Sequence, residues 1–294
     1  MNDHAGLTYV YAVAPDTRAL RDSLAGVRGI SGAPVFLLGE NEESPYAAAD
    51  PGSPDAVAFV AGRVSRQEFD EPTLKRRFED LEWLEGVARA HHEVVQTVAG
   101  HDTVLPLRMA TVYQNDDRAR QALAAQRSAF VERLSLLRGR SELGVKLYVS
   151  PAPPSTGGEA PADSADAAPL SPGKAYLKSR RAQHSERETR YQRAERVAER
   201  VEDVAARFTR HRVRHPAQRG ELAGGPEENV LNDAYLVPAD QTDAFRAALT
   251  GAVEDTEGVR IEVTGPWAPY SFAMPPPPPS APAPQPSGEA GRAP

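Results

Sequence analysis

Two spacings of apolar residues divide this chain. Short runs rich in β-branched and aromatic side chains, LTYVYAVA (residues 7–14), APVFLLGE (33–40) and AVAFVAGRV (56–64), predict buried strands separated by polar, Pro- and Gly-rich loops. Over residues 71–99 the spacing changes. Leu74, Phe78, Leu81, Leu84, Ala88, His91, Val95 and Val98 recur every three or four positions, which predicts one amphipathic helix stopped by Gly100. TVLPLRMATVY (103–113) predicts a strand, which Pro106 confines to a sheet edge or a bulge. A second helix is expected over about residues 116–137, with Ala119, Leu123, Phe130, Leu134 and Leu137 on one side. ELGVKLYV (142–149) then reads as the strand that closes a first domain, 1–150, of α+β class with helices on one face of a mainly antiparallel sheet.

The pattern then lapses. Residues 151–173, PAPPSTGGEAPADSADAAPLSPG, carry one large aliphatic side chain, Leu170, and cannot bury enough surface to offset the entropy of ordering, so they read as a disordered Pro/Ala-rich linker. A second folded part is expected over 174–274. It opens with a long helix, about 174–213, in which Tyr191, Ala194, Ala198, Val201, Ala205 and Phe208 alternate steps of three and four. That is a heptad seam, fit to pack on the protein's own sheet or on a second chain. VLNDAYLVP (230–238) predicts a strand, residues 239–257 a helix with Phe245, Ala248, Leu249 and Val253 inward, and VRIEVTGPW (259–267) a strand leaving through Gly265 and Pro266. Helix, strand, helix, strand is most of a split βαβ, ferredoxin-like unit. Residues 275–294 begin with five prolines and read as a disordered proline-rich tail.

Composition narrows the function more by exclusion than by pointing. The chain has 294 residues, a net charge of −7 and no cysteine, which removes disulfides and thiolate chemistry; it contains no apolar run approaching a membrane span, and its first residues lack a secretory signal, so a cytoplasmic location is expected. Residues 174–214 hold 13 Lys or Arg against 6 Asp or Glu, a local +7, so the remainder carries −14. No nucleic-acid motif accompanies that charge; a solvated face or an acidic partner surface accounts for it. SPGKA (171–175) lacks the first glycine and the hydroxyl of a phosphate loop. His91-His92-Glu93 resembles part of a zinc-protease helix, but Gln96 stands where the second histidine is required, and a half-buried His91 beside a surface His92 is the plainer reading. No catalytic residue, cofactor or metal site is assigned, and no enzyme activity is expected. A hydrolase built on His91 or His92 has no recognisable substrate.

Two stretches stand out. VLPLRMATVY sets Arg108 among apolar residues, where a guanidinium needs a carboxylate or backbone acceptors. TGPWAPYSF (264–272) places Trp267, Tyr270 and Phe272 between stiffening prolines, an extended aromatic clasp expected to close the second domain. Taken in order, TYVYAV, VLPLRMATVY, ELGVKLYV, GKAYLKSRR, LNDAYLV and TGPWAPYSF resemble the gas vesicle protein F/L family over residues 7–272, excluding the linker. Two departures are visible: Met109-Ala110 where the family has Phe-Gly, and Ala268 where it has proline.

The resemblance implies an N-terminal α+β domain, a C-terminal modified ferredoxin-like domain, and a gas vesicle accessory protein. Such a minor structural component acts in nucleation and assembly by binding the small hydrophobic shell protein (GvpA-type) and other accessory proteins, and by limiting shell-protein aggregation. Neither nucleic acid nor a membrane is an expected partner. Candidate structural or partner-contact residues are Arg108, Trp267, Tyr270, Phe272 and, on the seam, Tyr191, Val201 and Phe208. A competing expectation is a ligand-sensing regulator, since ferredoxin-like domains often bind small molecules between sheet and helices.

Overall fold

The computed structural model describes residues 6–40, 56–150, 172–218 and 227–273. The tail at 275–294 and nearly all of the expected linker, 151–171, lie outside these.

The first sheet is built on β1 (Leu7–Pro15), whose side chains are buried on both faces. It is flanked by β3 (Val57–Val64) with β2 (Val35–Leu38) outside it, and on its other side by two short antiparallel pieces, β4 (Leu105–Pro106) and β5 (Val112–Tyr113). A register shift at Tyr11 sets Tyr9, Tyr11, Ala12 and Ala14 in one core and Val10 and Val13 in the other. The first core is closed by α1 (Arg18–Leu24), α2 (Arg66–Phe69) and α4 (Leu81–Ala99), through Leu20, Leu24, Phe69, Val87, Val94, Val95 and Val98. The second is closed by α5 (Asp116–Leu137), through the five residues its spacing predicts. Asn115 caps α5 by accepting from the Arg118 N–H, and Asp116 in its first turn receives both Arg63 and Thr8 from the sheet.

The expected helix over 71–99 is two helices, α3 (Glu71–Arg77) and α4. Asp80 accepts from the Trp83 N–H and starts a new helix inside the apolar stripe, as Asp70 with Pro72 starts α3. His91, Val95 and Val98 are buried as the spacing predicts, joined by Val87 and Val94, while Phe78 (46% exposed), Leu81 (77%) and Ala88 face solvent. TVLPLRMATVY is likewise not continuous: β4 and β5 flank a turn at Met109 and Ala110.

The second sheet has the order β7 (Arg212–Arg214), β8 (Glu228–Pro238), β6 (Arg140–Val149), β9 (Val259–Trp267), all antiparallel. In chain order β6, α6 (Pro172–Ala205), β7, β8, α7 (Thr242–Gly251), β9, this is the ferredoxin-like arrangement. Strand β6 therefore belongs at the centre of the second sheet, and the expectation that it closes the first is corrected. Its position before the linker suggested the first sheet; its long pairings with β8 and β9 place it in the second. Helix α6 begins at Pro172 and ends at Ala205, eight residues short of the expected end, because residues 212–214 pair with β8. Both α6 and α7 cover one face of this sheet, through Val197, Val201, Ala205, Phe245, Leu249 and Val253. The other face, through Ala234 and Leu236, joins the α5 core. Helix α5 thus lies in an apolar layer shared by both sheets.

Candidate interaction surface

The clasp leaves β9 and crosses to the first half of the molecule. Gly265, at φ 103°, forms the bend: a Cβ there would stand 2.7 Å from the Glu142 carbonyl oxygen, so the turn admits only glycine without a shift. Ala268 is fully buried in the core beneath α4, and its N–H donates to Gln96 Oε1 at 2.8 Å. Residues Tyr270–Phe272 form a single 3-10 turn instead of the expected extended strand. Phe272 is buried in the α5 core, so the strap inserts one residue into each of the two cores. Ser271 donates its N–H and its hydroxyl to Glu142, at 2.8 and 2.7 Å, and lies 3.0 Å from His215 Nε2. The expectation that the clasp closes only the second domain is therefore corrected: it fastens the two halves together.

Its other two aromatics stay outside. Tyr270 stacks on His92 of α4 with ring centroids 5.9 Å apart and 28° between planes, and Trp267 tilts against the same imidazole at 6.2 Å. Trp267 is 42% and Tyr270 36% exposed. Burial on the protein side still pushes the Tyr270 hydroxyl up to about 12. Phe78 is exposed in the bend after α3, and Leu81 and Ala88 are exposed on α4, so α4 carries exposed apolar groups from its start to the aromatic platform at His92.

Arg108 does not sit among apolar strand residues. It is exposed on the turn between β4 and β5, and its guanidinium makes no hydrogen bond or ion pair with another described residue. What the turn supplies is backbone: the Ala110 N–H donates to the Tyr9 hydroxyl at 2.9 Å, and that hydroxyl lies 2.9 Å from Nδ1 of the buried His91, to which it donates when the imidazole is neutral with its proton on Nε2. Desolvation lowers His91 to about 4, and the Leu107 carbonyl pulls in the opposite direction. The imidazole is a neutral core group.

The seam residues are drawn together on the protein's own sheet. Val201 is fully buried, Phe208 lies beyond the helix end yet meets Phe245 edge-on at 5.4 Å, and Tyr191 is half-buried with its hydroxyl on Glu228. Val197, absent from the predicted seam, is buried between them. At the sheet edge Arg246 of α7 donates to the carbonyls of Val263 and Gly265 on β9. A guanidinium cannot reach a carbonyl lying between paired strands, so these two point outward and Arg246 occupies that edge.

Chemistry is sparse. The Glu142, Ser271 and His215 cluster has the residue types of a hydrolytic triad in the wrong order. The serine proton is committed to the carboxylate, and the imidazole can only donate to the serine oxygen. Burial pushes Glu142 up while its two bonds from Ser271 pull it down. Asp233, fully buried, is paired with Arg212 at 2.8 Å, while Glu202 takes both Arg212 and Arg214. Burial nevertheless raises the Asp233 carboxyl. Beside this network a groove of about 590 Å³ runs between α6 and β7–β8, lined by Tyr191, Glu195, Glu199, Arg214 and His215 among others. Among the described residues, no three His, Asp or Glu groups gather as a metal site, and no helix is long and apolar enough to cross a membrane.

The family described as gas vesicle synthesis protein GvpL/GvpF matches residues 7–274. The chain belongs to the GvpL/GvpF family. It is 39% identical over 268 residues to gas vesicle protein L of Streptomyces sp. (strain CB03234), covering 91% of this chain and 92% of that one. Gas vesicle protein F2 of Halobacterium salinarum is 26% identical over 203 residues, 66% of this chain and 70% of the relative. Among solved structures, GvpF from Anabaena sp. PCC7120 aligns with a TM-score of 0.58 at 18% identity, covering 92% of this chain and 96% of that one. GvpF from Microcystis aeruginosa aligns at 0.56 and 17%, covering 91% and 99%. At these identities the two crystal structures speak for the mixed helix-and-sheet fold. The family makes this chain a gas vesicle accessory protein, and neither Met109-Ala110 nor Ala268 removes it from the family.

Sequence reasoning found the clasp but not its receiving side. His92, Gln96 and Glu142 are polar residues on or beside apolar periodicities, and no spacing marks them as partners of a segment more than a hundred residues away.

Proposed function

We propose that this GvpL/GvpF chain acts in gas vesicle nucleation and assembly by binding the small hydrophobic shell protein and limiting its aggregation before it enters the wall. Shell subunits that face gas expose apolar surface, and a soluble partner that covers part of it suppresses self-association. The observation that carries this reading is the exposed aromatic platform of Trp267 and Tyr270 around His92, continued along α4 by Ala88 and Leu81. The part of the heptad seam from Tyr191 to Phe208 is spent on the protein's own sheet, and on the β9 edge Arg246 takes the carbonyls of Val263 and Gly265. Other gas vesicle accessory proteins are further proposed partners.

The test is co-expression with the cognate small shell protein and affinity capture of this chain from soluble, low-mass fractions. Shell protein co-eluting with the wild type, and lost with Trp267→Ala/Tyr270→Ala in a variant that still melts cooperatively within about 10 °C of the wild type, supports the reading. Shell protein that pellets equally with and without this chain overturns direct binding. The groove beside β7–β8 favours a second reading, a ligand-sensing regulator. That reading requires a small molecule that raises the melting temperature in proportion to the logarithm of its concentration and loses the effect in Glu199→Ala/His215→Ala.

A further inference from the structure

Helix α6 is far longer than the sheet it covers. Its 34 residues span about 50 Å, yet the first buried side chain described on it is Ala194. Arg190 donates to the Ser150 carbonyl at 3.3 Å where the helix meets the end of β6. N-terminal to that point, the described side chains from Leu177 to Thr189 are all exposed, so roughly 25 Å of helix extends past the domain. An isolated helix of this length is marginal in water unless something packs on it.

The heptad seam does not stop where the sheet does. Reading back from Ala205, Val201, Ala198, Ala194 and Tyr191, the alternation of three and four continues through Arg187, His184, Arg180 and Leu177. Leu177 is 57% exposed, and Arg187 lies over the Tyr191 ring at 5.5 Å, carrying the stripe across the join. Residues 172–190 hold six Lys or Arg against two Glu, in a chain that totals −7. The projecting stripe is thus basic with one apolar residue, Leu177, whereas its continuation under the sheet is apolar.

We propose that the projecting half of α6 is a docking rod for a second protein that presents an acidic amphipathic helix, whose apolar residues meet Leu177 and the arginine stems and whose carboxylates meet Arg180, Arg181 and Arg187. Charge complementarity selects the sign of the partner, and the seam selects its shape. A long polyanion is a poor fit, because nucleic acid or an anionic bilayer laid on the rod would also approach a body carrying −14 outside residues 174–214. A single helix about as long as the rod avoids that repulsion. This surface is separate from the aromatic platform and independent of the shell-protein reading.

The experiment uses the full chain and a fluorescein-labelled peptide about 21 residues long, with Leu at the heptad core positions and Glu flanking them, followed by anisotropy. Binding is expected at about 50 mM salt and is expected to weaken at least about tenfold by about 500 mM. Arg180→Glu/Arg181→Glu/Arg187→Glu is expected to weaken it by a similar factor, and Leu177→Asp also weakens it, with unchanged melting temperature and unchanged capture of shell protein. A peptide of identical composition with the heptad scrambled is expected to bind at least about tenfold less tightly. The proposal is overturned if the scrambled peptide binds equally, if the triple variant binds as the wild type does, or if duplex RNA or phosphatidylglycerol vesicles bind the rod more tightly than the peptide. Should the charge reversals disturb the helix, Arg→Gln replacements at the same three positions carry the same expectation at smaller size.

Discussion

Ala268 donates its backbone N–H to Oε1 of Gln96 across 172 residues of sequence, and this 2.8 Å bond fixes the strap leaving β9 onto the helix that covers the first sheet. A proline at this position would have no N–H to give. The alanine therefore makes a hydrogen bond that a proline here could not, and the bond tightens the strap. Gln96→Ala leaves a buried donor unpaired and is expected to cost about 1–3 kcal/mol. In an Ala268→Pro background the same change is expected to cost much less. A double-mutant cycle by urea denaturation measures the difference, and equal costs in both backgrounds would remove the bond from the account.

The three clasp aromatics have unequal roles. Phe272 fills the core shared by the two sheets, so Phe272→Ala is expected to cost about 3–5 kcal/mol through lost burial and a cavity. Trp267 is 42% exposed and touches one imidazole, so Trp267→Ala is expected to cost about 1 kcal/mol or less. Melting curves of the two variants separate them. Equal destabilisation would mean that Trp267 is a core residue and not a surface one.

How much of this the sequence shows depends on the distance over which a residue acts. The inward face of α5 was readable in full, because Ala119, Leu123, Phe130, Leu134 and Leu137 are set by local periodicity alone. The helix break at Asp80 is hidden because Phe78, Leu81 and Ala88 extend the same period, and a cap competing with a periodic stripe is decided by what each face meets. Strand β6 reads as part of the first sheet because linear order says nothing of which strands pair. Arg108 looked buried only because its neighbours are apolar; the turn between β4 and β5 lifts it out. For the clasp, aromatic composition marked a contact, and the partners His92, Gln96 and Glu142 carry no local signal at all.

Ala110 sits at φ 63°, a left-handed conformation that costs an L-residue with a Cβ about 1–2 kcal/mol. Its backbone is held there because the N–H reaches the Tyr9 hydroxyl. Glycine takes that conformation without the penalty. Ala110→Gly is therefore expected to raise the melting temperature, the gain reduced by the greater freedom of glycine in the unfolded chain. Hydrogen exchange of the residue 110 amide is expected to stay slow. A lowered melting temperature would show that the turn is unstrained.

His91 sets the acid limit. Its folded-state value of about 4 lies below the ordinary 6.5, so the unfolded chain binds a proton that the folded chain refuses. Stability from the neutral imidazole is fully present above pH 6.5 and is lost progressively as pH falls towards 4, by about 3 kcal/mol in total. Glu142 works the other way, since its carboxyl is raised by burial: its contribution is greatest at low pH and declines as pH rises through the usual carboxylate range to its folded value. His91→Gln keeps an acceptor for the Tyr9 hydroxyl and cannot titrate. Urea denaturation at successive pH values from 7 to 4 is expected to show the wild type losing stability more steeply than His91→Gln throughout that window. Parallel curves would mean that the imidazole is protonated in the folded core and that the Tyr9 hydroxyl is an acceptor there.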